Sequence, residues 1–421
     1  MNMSEDKFTF ESSVQRKLLI AIVVGLLIVA VGVVITVFGG HAHDHAEADH
    51  HFHWLHRVWA NLWLNNIYFL GISLTGVLFL ALQYASQAGW SAYIKRIPEA
   101  FGGWLYIAFG TTLVLFGITN FAGPGHFHIF HWLDSSLYVE GGENYDSIIA
   151  GKQGYLNLTF FIVRMVAYFL LWILMYRFIR NESLKEDLHG GDIHWKKMRV
   201  YSTIFIIIFA ITSSTAAWDW VLSIDTHWFS TMFGWYVFAS WFVASLSAIT
   251  LIVIWLRDNG YLMQLNSSHL HDLGKYVFAF SIFWTYIWFS QFMLIYYANI
   301  PEESVYFLER LSSGQYAWIF YLNLILNFAF PFLVLMTRDS KRHTIFLKIT
   351  CTAVLIGHWF DFYLMVIPGT LSENGGLGFI EIGTAIIFAG GFIYVVLQSL
   401  AKAPIIAKNH PMLEESLHHH I

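Results

Sequence analysis

The side chains suited to proton chemistry are few, and most lie near the ends of strongly apolar segments. The stretch from Thr212 to Trp235, TSSTAAWDWVLSIDTHWFSTMFGW, holds Asp219, Asp225 and His227 among Trp218, Trp220 and Trp228. A carboxylate or imidazole placed there can accept a proton or pass one on. His358 and Asp361 are three residues apart, which puts them on one helical face. Arg164 and Glu381 complete the set, with Arg164 a natural counter-charge for Asp219. Ionisable groups in such segments are costly and face neighbouring helices or water, not lipid. Each also has a plain structural reading. Asp219 with Arg164 would be an ion pair, and His358 with Asp361 a helix–helix hydrogen bond. Asp225 and His227 would cap a turn, Glu381 would sit at a wet interface, and the tryptophans would form an interfacial belt. Asn323, Asn327 and Pro331 share a face, where packing and a kink are the default.

The elements that must position these residues follow from composition. The chain has 421 residues, 57% hydrophobic and only 12% charged, against about 25% charged in soluble proteins. Its net charge of −5 points to no nucleic-acid partner. A span needs about 20 apolar residues. Ten segments qualify, at 18–38, 67–84, 101–120, 156–178, 200–222, 230–256, 275–297, 316–337, 344–367 and 378–400. The first exceeds the usual signal-peptide core of about 7–15 residues, so it reads as a retained helix. The expected fold is all-α, one integral membrane domain over 1–421. Short connections allow two four-helix bundles, from spans two to five and six to nine, with two flanking helices.

Lysine and arginine set the orientation. With the N-terminus inside, seventeen fall in inner segments and three, Arg57, Lys152 and Arg310, in outer loops. Residues 1–17 and 401–421 then form cytoplasmic ends, and 39–66 a periplasmic loop. Asp219, Asp225, His227, Arg164, His358, Asp361 and Glu381 all come to the outer half, which suggests a polar pocket there. The stretch 39–56 has seven histidines, and His126, His128 and His131 follow a Gly-Pro-Gly turn. Clustered histidines can bind zinc or copper, but these lack a fixed carboxylate or cysteine framework. They read as a docking surface, and no metal site is assigned. The single cysteine, Cys351, leaves no covalent haem motif and cannot hold an iron–sulfur cluster. Only His358 lies well inside a span, which argues against a pair of b-type haems.

Two strings carry a family resemblance. WDWVLSIDTHWFSTMFGWY (Trp218 to Tyr236) and QFMLIYYANIPEES (Gln291 to Ser304) resemble the NrfD/PsrC-like membrane subunits of bacterial alternative complex III, the ActF type above all. Ten spans in the same loop order extend the resemblance over nearly the whole chain. It implies a subunit of a quinol:cytochrome c oxidoreductase in the bacterial inner membrane, without a redox metal of its own. Its implied partners are a related subunit of ActC type, a periplasmic iron–sulfur subunit, c-type haem subunits and lipid, with cytochrome c or a terminal oxidase reached indirectly. Menaquinone or another quinone is expected at or near the outer pocket. Asp219, His227, His358 and Asp361 would be proton acceptors or relays, and Arg164, Asp225, Trp218 and Glu381 would line the quinol pocket. The alternatives are a membrane scaffold for the periplasmic redox subunits and, fitting less well, a secondary transporter, whose site would lie at the midplane.

Overall fold

The computed structural model describes residues 7–39, 54–119 and 129–420. Among them ten helices are long and apolar enough to cross a membrane. They are α1 (Ser12–Gly39), α2 (Trp54–Ala85), α3 (Arg96–Gly117), α4 (Leu158–His189) and α5 (Asp192–Trp220), followed by α6 (Phe233–Asp258), α7 (Ser267–Ala298), α8 (Ala317–Val334), α9 (Thr344–Leu371) and α10 (Phe379–Leu400). The only β pairing among the described residues is one antiparallel bridge between Lys7 and Pro404. Lys7 precedes α1 and Pro404 follows α10, so the two ends of the chain meet on one side. That side is called the termini face, and the opposite one, where α5 gives way to α6, the junction face.

α2 is the hub. It packs against α3, α5, α6, α9 and α10. α4 closes against α3 and α5, and α7 and α8 close against α6 and α9. The apolar windows of α2 and α6 are 94% and 83% buried, against 11% for α1, which lies outside and follows α10. Small residues allow that close approach. A Cβ on Gly383 would lie 2.8 Å from the carbonyl oxygen of Gly25, so the two backbones nearly touch.

Three features correct or sharpen the sequence expectation. Helix α2 begins at Trp54, so residues 54–66 are helix and not loop. Arg57, Asn61, Asn65 and Asn66 lower the hydropathy there, but they turn inward to polar partners. Asn61 donates to Glu381 at 2.9 Å, Asn65 accepts from Trp359 at 2.9 Å, and Asn66 donates to Thr112 at 2.7 Å. The histidine-rich residues 40–53 lie outside the described residues, as do His126 and His128.

Second, α8 is broken. A π-turn over Ile325–Ala329 separates two α-helical pieces. Pro331 has no N–H, and its ring crowds the carbonyl four residues back, so a wider turn relieves the clash. Third, the segment after α10 is not a free tail. Asn409 Nδ2 donates to the Asp187 carbonyl at 3.0 Å, and Ser416 Oγ to the Trp90 carbonyl at 2.6 Å. Asn266 Nδ2 donates to the His419 carbonyl at 2.6 Å. The segment thus straps the termini face from the α4–α5 hairpin to the start of α7.

Candidate functional site

Asp219 sits in the last turn of α5 and is fully buried. Arg164, on α4, meets it with a two-pronged fork. Nε donates to Oδ2 at 2.8 Å and Nη2 to Oδ1 at 2.9 Å. The remaining nitrogen, Nη1, donates to the Tyr155 carbonyl at 3.0 Å. The guanidinium lies 4.0 Å over the Tyr155 ring and 4.1 Å over the Phe160 ring. Tyr155 and Tyr168 direct their phenols at the same carboxylate. Burial and the Asp219 charge both push the Tyr155 phenol up, so it stays protonated. Deeper along α5, Trp172 Nε1 donates to Thr212 at 2.8 Å, and past the helix end Ser223 Oγ donates to the Asp219 carbonyl at 2.5 Å.

Asp361 and His358, on α9, are also fully buried, but their surroundings differ. Three neutral donors hold the carboxylate. Tyr236 of α6 donates to Oδ1, Asn323 of α8 donates to Oδ1 at 2.9 Å, and Trp284 of α7 donates to Oδ2 at 2.8 Å. The imidazole Nδ1 of His358 is 2.9 Å from Ser240 Oγ and 3.8 Å from Asp361 Oδ2. Its Nε2 is buried and has no hydrogen-bond partner among the described residues. Asn327, in the π-turn, donates to Asn323 at 2.5 Å and extends the set along α8. All four helices of the α6–α9 group therefore contribute.

The other expected residues fall into separate sets. Glu381 is buried against Arg57, whose Nε and Nη2 donate at 2.7 and 2.8 Å. Asp225 accepts from Arg310 Nη2 at 2.9 Å, and Arg310 Nε donates to the Leu364 carbonyl at 2.7 Å. Burial alone would lower the Arg310 guanidinium, but Tyr306, Asp225 and Glu309 outweigh it and hold it up. His227 does not join the buried groups. It is half exposed and binds Asp146 at 2.5 Å on the surface. The polar pocket expected as one site is thus several sets on different helices.

Two hollows link these sets. A cleft of about 500 Å³ opens beside the α5–α6 turn, walled by Trp218, Trp228, Phe229 and Tyr155, with hydroxyls from Ser223, Thr226, Ser230 and Thr231. The indole N–H groups of Trp218 and Trp228 are buried without partners among the described residues. Behind it lies a small cavity of about 20 Å³, lined by Trp228, Tyr236, Gln291, Tyr306 and Arg310 among others. That is room for one water, which needs roughly 10–15 Å³. Trp228 borders both spaces, and Ser230, on the cleft, donates to Gln291, on the cavity, at 2.8 Å. Tyr236 then leads from the cavity to Asp361.

Sequence reasoning missed Tyr236, Trp284, Gln291, Arg57 and Arg310 as partners. For Arg310 a signal was present. PEESVYFLERLS has Pro301 and two glutamates in its first turn, and it forms a helix, Pro301–Ser312, that buries Tyr306, Phe307 and Arg310. Among the described residues no three His, Cys, Asp or Glu side chains group to hold a metal. Fold and site together describe a polytopic α-helical membrane protein with buried polar sets near one face. The sequence matches no protein-family model, and no curated protein matches it.

Proposed function

We propose that this chain is the ActF-type, NrfD/PsrC-like membrane subunit of a quinol-oxidising complex of the alternative complex III kind. In this reading the junction face is periplasmic and both chain ends are cytoplasmic in a bacterial inner membrane. Helices α2–α5 and α6–α9 act as two four-helix bundles, supported by the closed order of their pairings, with α1 and α10 flanking. The partners are the ActC-type subunit, the periplasmic iron–sulfur subunit and the c-type haem subunits, with cytochrome c or an oxidase downstream.

The observation that carries the reading is the cleft at the α5–α6 turn. Its volume of about 500 Å³ lies in the usual range for small-molecule sites, about 300–1,000 Å³. Its walls fit a quinol head: flat indoles to stack on and hydroxyls at the rim. A bound menaquinol or other quinol would supply two electrons to a neighbouring subunit and two protons to this one. Trp218 and Trp228 orient the ring by stacking against it. Tyr155, fixed by Asp219 and Arg164, forms one wall. Ser230 and Gln291 would position a water in the small cavity, which takes the proton and gives it to Tyr236 as Tyr236 passes its own proton to Asp361. Asp361 and His358 hold it.

Quinol:cytochrome c activity and proton release by the assembled complex test this. His358→Ala and Asp361→Asn are expected to lower both by about a hundredfold, the scale of a lost acid–base group. Trp218→Phe, which replaces the indole with a smaller ring and so reduces the stacking surface, should raise KM more than it lowers kcat. Wild-type activity in all three variants would sink the proposal. A scaffold role is the second reading, and the complete pairing of Asp219, Glu381 and Asp225 with arginines favours it for those residues. On that reading all three variants stay active, and replacing Arg164 or Arg57 disrupts assembly instead.

A further inference from the structure

At the termini face, far from these sets, a second cleft of about 410 Å³ opens between α3, α4 and α10. We propose that it binds the phosphodiester headgroup of an anionic membrane phospholipid. Its polar lining is made of groups that can donate to an anion: Tyr106 on α3, Tyr176, Arg177, Arg180 and Asn181 on α4, Gln398 and Ser399 at the end of α10, and Lys402 just after it. No carboxylate lines it.

The three cations do not play the same part. Arg180 is committed to the protein. Its Nη1 donates to Glu99 at 2.7 Å and its Nη2 to the Ser399 carbonyl at 3.2 Å. Glu99 balances that charge and fixes the wall. Arg177 and Lys402 are exposed, and neither pairs with a carboxylate among the described residues. Two uncompensated cations therefore face one cleft with two amides, two phenols and a serine hydroxyl beside them. A phosphodiester presents one negative charge and only acceptor oxygens, which this lining complements.

Position selects lipid over free phosphate. The apolar stretches of α4 and α10 end at Arg177 and just before Lys402, the level at which headgroups lie. Below the cations the walls turn apolar, with Ile107 and Val395, and Leu174 and Ile107 stay exposed on the helix flanks. Acyl chains would run down those flanks. Basic pockets between spans are known headgroup sites, worth about 1 kcal/mol per lysine or arginine near the surface. The inference needs neither the quinol reading nor the family resemblance.

The test is native mass spectrometry of the full-length protein titrated with phosphatidylglycerol or phosphatidylcholine. Wild type is expected to retain phosphatidylglycerol preferentially. Arg177→Gln with Lys402→Gln should weaken that retention about 30-fold and leave phosphatidylcholine unaffected. Both side chains are exposed, so the fold should persist, and an unchanged melting curve checks it. Lys185→Gln, an exposed cation of α4 outside the cleft, should change nothing. Equal retention by the double variant, equal binding of both lipids, or an equal loss with Lys185→Gln would overturn the proposal. Displacement of the lipid by excess inorganic phosphate would overturn the lipid as its source.

Discussion

Asp219 and Asp361 are both fully buried carboxylates, yet the protein treats them in opposite ways. Arg164 matches Asp219 with a fixed two-pronged cation. A proton arriving there would leave the guanidinium buried without its counter-charge. Around Asp361 no lysine or arginine donates among the described residues, and the negative charge is spread over a phenol, an indole and an amide. His358 stands beside it with one nitrogen unused. A proton can come and go there without stranding a cation. One region is thus built to hold α4 against α5, and the other to hold or release a proton. Burial and depth alone do not separate the two; the type of donor does.

Breaking the cation is the strongest way to test that contrast. Arg164→Ala should destabilise the protein by about 3–5 kcal/mol, because it leaves Asp219 buried and unpaired. Replacing both partners with apolar residues of similar size should recover most of the loss. Thermal and denaturant unfolding in detergent would show this. A loss below about 1 kcal/mol for Arg164→Ala would place the pair among weak surface bridges and erase the distinction. Asp361→Asn should cost less, about 1–3 kcal/mol, since it sets an amide N–H against a donor without exposing a cation. If Asp361→Asn proved the more damaging to stability, Asp361 would be the structural residue.

Parts of this arrangement were legible in the sequence for definite reasons. Ten helices could be read because each holds an apolar run long enough to span lipid, and period alone put His358 beside Asp361. The depth of Arg164 and Asp219 suggested their pairing, but the geometry of the fork depends on how α4 packs on α5, which leaves no local sequence signal. The start of α2 was hidden because Arg57, Asn61 and Asn65 look like loop residues until Glu381 and Trp359 are placed opposite them. Tyr236 and Trp284 read as ordinary aromatics of apolar helices. Only the packing of α6 and α7 on α9 shows that their polar atoms converge on Asp361. The strap after α10 has no apolar periodicity, and its bonds run to backbone groups far away in the chain.

The smallest effect is expected at the rim, where Asp146 and His227 test whether an exposed carboxylate joins either class. Asp146 caps the short helix Ser147–Gly151, accepting from Ile148 and Ile149 at 2.9 and 3.0 Å. The Ile149 N–H, and then His227, hold its carboxyl below the usual range. The unfolded chain therefore binds the proton first as pH falls. The contribution of Asp146 is complete above its unfolded value, near 3.8, and is lost as pH falls through the lower folded one. Between pH 7 and 5 the Asp146 carboxyl itself adds no pH dependence. His227→Ala should cost well under about 1 kcal/mol, as exposed pairs do. Asp146→Asn keeps a capping oxygen and should be nearly silent at pH 7, while Asp146→Ala should cost about 1 kcal/mol. Hydrogen exchange at Ile148 and Ile149 reads each change directly, because their N–H groups are the capped ones. The loop that follows, through Lys152 and Tyr155, walls the cleft. Faster exchange in Asp146→Ala with unchanged quinol oxidation would mark this rim as support for the wall. A large loss of activity in His227→Ala at intact protection would instead move His227 into the proton path beside Asp361.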